Sequence, residues 1–174
     1  MGDRFGYQSE AERFAGYKEA LAAAGIPFAA ELAVEGDSSA EAAIEAMRGL
    51  LALDRPPTAV CCYNDMTALG AMKAIRARGL RMPEDVSVTG FDDLFFAAYL
   101  DPPLTTVRQP MRQMGRMAME NLFKLMSGDG RPEQGDIRMR VEAELIVRGS
   151  TAKVHAEPGR DGKADGSRER TRHG

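Results

Sequence analysis

The apolar residues near the start of the chain repeat with a helical period. Within residues 8–24, Phe14, Tyr17 and Leu21 fall on one face of a helix. Gly25 follows and supplies a typical C-terminal stop. The pattern therefore predicts a first helix over residues 8–24.

A strand and a second helix are predicted next. Residues 28–34 are predicted to be extended. Ser38 and Glu41 have the spacing of a capping box, so Ser38 is predicted to cap the helix that follows. That helix is expected to bury one apolar face, formed by Ala43, Met47, Leu50 and Leu51.

Two further strands enclose a third helix. Residues 58–63 are a continuous apolar run, typical of a strand buried on both faces of a parallel sheet. Asp65 is predicted to cap a helix over residues 66–78, which Gly79 closes, and residues 86–90 form the next strand. Strands separated in this way by helices predict an α/β fold with a parallel sheet.

The pattern changes after an extended segment at residues 104–107. Pro110 begins a predicted helix over residues 110–126 whose apolar residues cover more than half of its circumference. Such a helix needs partners on more than one side. Residues 137–147 alternate and predict a late strand, whereas the polar tail at 151–174 is predicted to be disordered.

Composition excludes several classes of protein. The 174 residues suit one domain, and a net charge of -3 gives no reason to expect nucleic-acid binding by this chain. Cys61 and Cys62 lie in an apolar run and are predicted to be buried thiols in a reducing compartment. No stretch has the length of a membrane span or the core of a signal peptide, so a cytoplasmic protein without membrane contact is predicted.

Two carboxylates, Asp92 and Asp93, directly follow the strand at residues 86–90. Ligands of open parallel sheets bind at the carboxyl ends of strands. Capping of a short helix, phosphate acceptance, metal binding and binding of a polar small molecule are the alternatives. Both histidines, His155 and His173, lie in the tail, so no metal site and no cofactor are predicted. A polar ligand held by a carboxylate is the functional reading that the residues favour.

Other polar residues carry weaker signals. Asn64 follows the strand at residues 58–63 and is predicted to be free to face a ligand. Arg13 lies on the opposite side of its helix from Leu21 and by itself reads as an exposed charge. No G-x-S-x-G, Walker or G-x-G-x-x-G motif occurs, and no enzyme is predicted.

Several segments together resemble the lactose/galactose-repressor (LacI/GalR) family of bacterial transcription regulators. The segments are Glu12-Arg-Phe-Ala-Gly-Tyr, Thr58-Ala-Val-Cys-Cys-Tyr-Asn-Asp-Met-Thr-Ala-Leu-Gly-Ala-Met, Val86-Ser-Val-Thr-Gly-Phe-Asp-Asp, Pro103-Leu-Thr-Thr-Val-Arg-Gln-Pro and Leu145-Ile-Val-Arg-Gly-Ser-Thr. They occur in the order of the family, and their combination is specific.

The resemblance implies an incomplete sensor. Residues 1–150 would be part of an effector-binding domain, namely the parallel-sheet C-terminal subdomain of a type I periplasmic-binding-protein-like fold. Residues 108–127 would be a crossover helix that packs in the absent N-terminal subdomain. The DNA-binding helix-turn-helix of the family would be absent as well.

The resemblance also implies roles for particular residues. Arg13, Asn64 and Asp92 correspond to effector-binding residues, and Asp93 is expected to support Asp92 or its turn. Ser38 stands where many members have an aromatic that stacks on the ligand, so Ser38 either supports the pocket or only caps its helix.

A homodimer interface is implied at one apolar surface. Its expected residues are Leu69, Met72, Leu94, Phe95, Tyr99 and Leu100. The alternative for the apolar run 94–100 is a short helix packed on the sheet. Burial of an exposed apolar patch in a dimer is the favoured reading.

The predicted function is the ligand-sensing and dimerising part of such a regulator. Its effector would be a small polar molecule, a sugar or a related metabolite, and operator DNA would be bound only through the absent helix-turn-helix. The alternatives are a fragment of a periplasmic-type solute-binding transport protein and, with least support, an α/β enzyme fragment.

Overall fold

A computed structural model describes residues 2–3, 8–127 and 139–153 of the chain. Its four helices are α1 (Gln8–Ala23), α2 (Ala40–Leu51), α3 (Asp65–Ala77) and α4 (Met111–Ser127). Its strands are β1 (Gly2–Asp3), β2 (Glu35–Gly36), β3 (Ala59–Cys61), β4 (Ser87–Thr89), β5 (Thr106–Arg108) and β6 (Glu144–Ile146). Short 3-10 helices lie at Ala30–Leu32 and Ala97–Tyr99. The predicted α/β class is confirmed.

Parallel pairing joins β3 to β4, with Val60 opposite Val88. The parallel arrangement continues past β4, where bridges join Thr89 to Thr105 and Asp92 to Arg108. β5 pairs with β6 in the antiparallel direction, and β1 with β2 in parallel. The carboxyl ends of β3, β4 and β5 therefore lie along one edge, the place where parallel sheets put their ligand sites.

The hydrophobic core lies between the β3–β4 sheet and helices α2 and α3. The helices pack against each other closely, because Gly70 has no Cβ to meet the backbone oxygen of Ala40. Met72, Ile75 and Val88 are almost completely buried there. Burial of each such side chain contributes about 1.5–3 kcal/mol of transfer free energy.

The helix predictions hold better than the predictions of extended structure. Helices α1, α2, α3 and α4 occur as expected, and Gly25 and Gly79 have positive φ angles of 69° and 78° at helix ends. The strand predicted at residues 28–34 is wrong, because this segment contains a 3-10 turn and only β2 follows it. Phe28, which precedes this turn, packs its ring edge-on against Phe14 and stays partly exposed.

The cap of α2 is one residue later than predicted. Ser39 is the N-cap, and its hydroxyl oxygen accepts a hydrogen bond of 3.1 Å from the backbone N–H of Ala42. Ser38 has a φ of 65° and lies in the turn before the cap. Asp37 fixes this turn by accepting hydrogen bonds from the backbone and the hydroxyl of Ser39.

The two cysteines differ in exposure, contrary to the prediction that both are buried. The Cys62 thiol is buried, and burial raises its pKa to about 12. Cys61 is exposed, as is Ala59. Alternation along β3 points these two side chains away from the core, so the strand is buried on one face only.

Helix α4 has none of its residues buried. Its large apolar side chains remain exposed, among them Met111, Phe123 and Met126. Met114 and Met117 of this helix line a small cavity together with Met139 and Val141. The helix therefore has the unpartnered apolar surface that its sequence predicts. Its assignment to an absent subdomain stays a prediction.

The late strand is shorter than predicted. β6 spans Glu144–Ile146, whereas residues 139–143 have no regular structure and 137–138 lie outside the described residues. The predicted disordered tail, with both histidines, lies outside the described residues from 154 onward. In the described part of the chain, no helix is long and apolar enough to cross a bilayer.

Candidate functional site

Arg13 reaches from α1 across the carboxyl edge of the sheet. Its guanidinium carbon lies 4.4 Å from the centre of the Tyr63 ring and 4.5 Å from that of Phe91. Nη1 donates to the backbone oxygen of Tyr63 at 2.8 Å, and Nε donates to that of Ser9 at 3.2 Å. Stacking between two rings fixes the plane of the guanidinium. Arg13 is thus a positioned group and not the free surface charge that its helical position suggests.

The predicted cap of α3 is wrong, because Asn64 and not Asp65 caps the helix. Asn64 is the N-cap of α3, and its Oδ1 accepts a hydrogen bond of 2.8 Å from the backbone N–H of Thr67. Asp65 is buried inside the first turn, where its carboxylate accepts from Thr106 Oγ1 and from the backbone N–H of Leu94, both at 2.6 Å. The cap leaves the amide nitrogen of Asn64 as its donor for other partners.

Asp92 lies in a strained turn after β4. Its φ is 107°, and the bonds that hold this conformation come from the segment that follows β5 and from β5 itself. The backbone N–H of Asp92 donates to the oxygen of Val107 at 2.9 Å. Oδ1 of Asp92 accepts a hydrogen bond of 2.6 Å from Nε2 of Gln109.

Asp93 points to different partners from its neighbour. Its Oδ1 accepts from Nη2 of Arg148 at 2.6 Å, and its Oδ2 accepts from Nε of Arg108 at 2.7 Å. Only 8% of the Asp93 side chain is exposed. The carboxylate therefore links the turn after β4 to β5 and to the residues after β6.

These groups surround one cleft with a volume of about 460 Å³. Polar and aromatic side chains share its walls. The lining residues are Ser9, Glu12, Arg13, Tyr63, Asn64, Phe91, Asp92 and Gln109. All three residues predicted to bind the effector are in this set. Ser38 and Asp93 are not in it, so their roles as pocket support stay predictions.

Sequence reasoning missed Gln109, Tyr63 and Phe91. Tyr63 and Phe91 stand just beyond β3 and β4, and Gln109 directly follows β5. Their position at strand ends was the available signal, because side chains there meet at one edge of the sheet. What the pattern did not show is the stacking of Arg13 between the two rings.

Electrostatics distinguish the carboxylates behind the cleft. Burial raises the pKa of Asp65, against the lowering effect of the hydrogen bonds from Thr106 and Leu94. For Asp93, burial acts in the same upward direction, but the bonds and charges of Arg148 and Arg108 outweigh it and lower the pKa. Among the described residues, no cluster of three or more His, Cys, Asp or Glu side chains could hold a metal ion.

Comparison with known proteins places this chain in a family. The family model of the periplasmic binding protein-like domain matches residues 2–151. The chain belongs to the periplasmic binding protein-like domain family.

Relatives of the chain are transcription regulators. The probable HTH-type transcriptional repressor ExuR of Bacillus subtilis is 41% identical over 149 residues, covering 86% of this chain and 44% of ExuR. The HTH-type transcriptional repressor CytR of Escherichia coli K12 is 42% identical over 139 residues, covering 80% of this chain and 40% of CytR. The structure of the transcriptional regulator CelR with cellobiose has a TM-score of 0.80 at 35% identity, covering 86% of this chain and 45% of CelR.

The chain thus spans less than half the length of these relatives and matches their C-terminal part. The resemblance to lactose/galactose-repressor regulators is confirmed, as is an incomplete fold of the periplasmic-binding type. The function class that these relatives support is the ligand-sensing domain of a regulator. They do not favour the transport-protein alternative, and they are regulators and not enzymes.

The residues predicted for the dimer interface fall into three groups. Phe95 and Tyr99 are each 85% exposed, and Leu94 is also exposed. Leu69 and Leu100 are half-buried. Met72 is 1% exposed and belongs to the core, so its assignment to the interface is wrong. The helical period places Met72 on the inner face of α3, against the sheet.

Proposed function

We propose that this chain supplies one wall of the effector cleft of a LacI-type regulator and binds a small polyhydroxylated molecule without chemical turnover. The observation that carries the proposal is Arg13, which two aromatic rings hold at the mouth of a cleft also lined by Asp92. A positioned donor fork and a carboxylate on one cleft suit a ligand with many hydroxyl groups.

The donors and acceptors of the cleft define the ligand chemistry. Two N–H groups of Arg13 are used within the described residues, which leaves three of its five donors for a ligand. Asp92 retains Oδ2, and Asn64 retains its amide nitrogen. Sugars offer acceptors for Arg13 and hydroxyl donors for Asp92 in the same molecule. Tyr63 and Phe91 add apolar surface.

Structural relatives support this class of ligand. CelR is solved as a complex with cellobiose, and a LacI-type regulator from Arthrobacter with lactose. We extend to this chain only the class, a sugar or a related polar metabolite. The complete regulator would be cytoplasmic and would bind operator DNA through a separate part. This chain alone is expected not to bind that DNA.

We also propose that the exposed ring patch, Phe95 and Tyr99 with Leu94, pairs with a second copy of the chain. The rings of Phe95 and Phe96 meet edge to face at 5.7 Å between centres, which supports the Phe95 ring from one side. Two aromatic side chains with 85% exposure are costly in water, and a symmetric dimer would bury the same patch on both subunits.

Ligand binding can be tested directly on the chain. A panel of sugars and nucleobases that includes cellobiose and lactose is screened by thermal shift, and each hit is measured by calorimetry. Arg13→Lys and Asp92→Asn are expected to weaken the hit about tenfold to hundredfold, because each removes a charge-assisted or forked contact.

Matched variants outside the cleft provide the control. Arg48→Lys changes an exposed ion pair on α2, and Asp54→Asn changes an exposed carboxylate. Both are expected to bind like the unaltered chain. If the Arg13 and Asp92 variants bind a hit as tightly as the unaltered chain does, the proposed ligand site is wrong.

A further inference from the structure

A second cavity, smaller than the cleft, lies between α4 and the segment before β6. Its volume is about 140 Å³, and its lining residues are Met114, Met117, Met139 and Val141. None of these residues lines the cleft. Three of the four side chains carry a thioether sulfur, and the fourth is a plain hydrocarbon. The lone pairs that these side chains offer to the cavity therefore belong to sulfur alone.

The three methionines converge from two segments of the chain. Met114 and Met117 are three positions apart on α4, and side chains at this spacing lie on the same face of a helix. Met139 belongs to the irregular segment before β6 and closes the cavity from outside the helix. A helix face with two thioethers thus meets a third thioether from a separate segment.

Asn121 holds Met139 against the helix. Its Nδ2 donates to Sδ of Met139 at 3.2 Å and to the backbone oxygen of Met117 at 2.8 Å. The bond within α4 fixes the direction of the amide, and the amide then fixes the position of the Met139 sulfur. A thioether sulfur has two lone pairs, so one of them remains for a further partner after the bond to Asn121.

The chemistry of thioethers selects a particular class of ligand. Thioether sulfur is soft and polarisable, which suits Cu(I), whereas Mg²⁺ and Ca²⁺ require oxygen ligands. Zn²⁺ sites are built from thiolates, imidazoles or carboxylates, and the four lining residues supply none of these groups. An uncharged site also favours a monovalent ion, because the cost of taking an ion out of water increases steeply with its charge.

We propose that Met114, Met117 and Met139 form a thioether site for the soft monovalent metal ion Cu(I). The three sulfur atoms are its ligands, and Asn121 is a positioning residue for one of them. Met114 and Met139 are 38% and 44% exposed, so a bound ion would keep contact with water on one side. The ion would join α4 to the segment before β6. This site is independent of the effector cleft.

Methionine also fills irregular apolar space, and substitution by leucine separates the two roles. Leucine has nearly the same volume and is equally apolar, so Met→Leu preserves packing and removes the sulfur ligand. A packing role predicts that the leucine variants bind soft metal as the methionine chain does. A ligand role predicts that they bind it more weakly.

Metal binding is measured on the full chain with the substitution Cys61→Ser, because the exposed Cys61 thiol would itself bind a soft metal. Cys62 is buried, and burial raises the pKa of its thiol to about 12. Calorimetry uses Ag(I), an air-stable analogue of Cu(I), in a buffer without chloride. The titration is repeated under nitrogen with Cu(I) kept in solution by acetonitrile.

One equivalent of each ion is expected to bind. Loss of one sulfur ligand is expected to weaken that binding at least about tenfold in each of Met114→Leu, Met117→Leu and Met139→Leu. The matched controls are Met119→Leu and Met126→Leu, at exposed methionines that the helical period places on the opposite face of α4 from Met117. Both are expected to bind like the Cys61→Ser chain.

Two outcomes of the calorimetry would overturn the inference. Unchanged affinity in the three cavity variants would assign the ion to another site, such as Cys62. Equal weakening in the cavity variants and in the controls would show unspecific binding along α4.

A second measurement needs no substitution at the cavity, so it remains decisive if a leucine variant fails to fold. In the Cys61→Ser chain with carbon-13 methionine methyl groups, the signals of the three cavity methionines are expected to move together on addition of one equivalent of Ag(I). The signals of Met119 and Met126 are expected to stay in place, and Mg²⁺ is expected to move none of them. Movement of a single methionine signal, or of the control signals to the same extent, would refute the three-sulfur site.

Discussion

Thr106 donates its hydroxyl hydrogen to the buried carboxylate of Asp65 at 2.6 Å, and neither side chain is exposed to solvent. The bond joins the start of α3 to β5. It lies directly behind the cleft, because the same carboxylate accepts the backbone N–H of Leu94 in the turn that carries Asp92. A buried charge thus connects three segments that shape the site.

Thr106→Val removes this donor with little change in shape. The variant is expected to lose about 1–3 kcal/mol of unfolding free energy at pH 7, because Asp65 then lacks one partner for its charge. Urea unfolding measures the loss, and Thr58→Val, at an exposed threonine, is the control.

The sign of the pH dependence follows from Asp65. Burial raises its folded pKa above the usual value of 3.8. The stability that protonated Asp65 contributes is therefore fully present at a pH below this usual pKa, and it is lost as the pH rises through the folded pKa. Removing the Thr106 hydroxyl raises the folded pKa further, so the difference between variant and unaltered chain should grow with pH. A difference that shrinks from pH 4 to pH 7 would contradict this account.

Asp93→Asn is expected to destabilise the chain by about 1–3 kcal/mol at pH 7, since it weakens two charge-assisted bonds to Arg148 and Arg108. The folded pKa of Asp93 is lowered from 3.8. The contribution is present above that value and is lost as pH falls through the folded pKa. The difference in unfolding free energy between Asp93→Asn and the unaltered chain should therefore decrease as the pH falls through this folded pKa.

Glu45→Gln is the control for this variant. Glu45 forms an ion pair with Arg48 on the surface of α2, and the two side chains are 71% and 60% exposed. Its removal is expected to change stability by less than about 0.5 kcal/mol. Similar losses for the two variants would show that the Asp93 bonds contribute no more than a surface pair.

Gly90→Ala tests the packing behind the cleft. A Cβ at this position would meet Oδ1 of Asp65 and lie 2.9 Å from Cδ2 of Leu104. The variant is expected to lose about 1–3 kcal/mol by overpacking. Gly49→Ala, in α2 with nothing within 4 Å, is expected to gain about 0.5–1 kcal/mol. Thermal unfolding compares the stabilities of the two variants. Unchanged stability of Gly90→Ala would show that the neighbouring side chains can move to make room for the methyl group.

Self-association is tested at the ring patch. Phe95→Ser and Tyr99→Ser are expected to weaken a dimer of the chain at least about tenfold in sedimentation equilibrium, because each removes a large apolar contact. Phe123→Ser, on the exposed face of α4, is the matched aromatic change. If Phe123→Ser alone dissociates the dimer, the interface lies on α4 and not at the ring patch.

The sequence by itself determined the helices and the α/β class. Periodicity and the glycines at 25 and 79 are local properties, and they predicted α1 and α3 to within about two residues. The apolar residues of α4 also predicted its excess of apolar surface. The position of Asp92 at a strand end predicted a ligand contact from the residues alone, whereas Arg13, on α1, was predicted only through the family resemblance.

The tertiary structure decided how those residues meet. Asn64 and not Asp65 caps α3, because Thr106 and Leu94 supply buried donors that only a folded chain brings to Asp65. Arg13 is held by rings that lie 50 and 78 residues away along the chain. Gln109 reaches Asp92 because β5 runs parallel to the segment after β4. Contacts between distant segments depend on which strands pair with one another, and the helical periodicity and the capping residues do not specify that pairing.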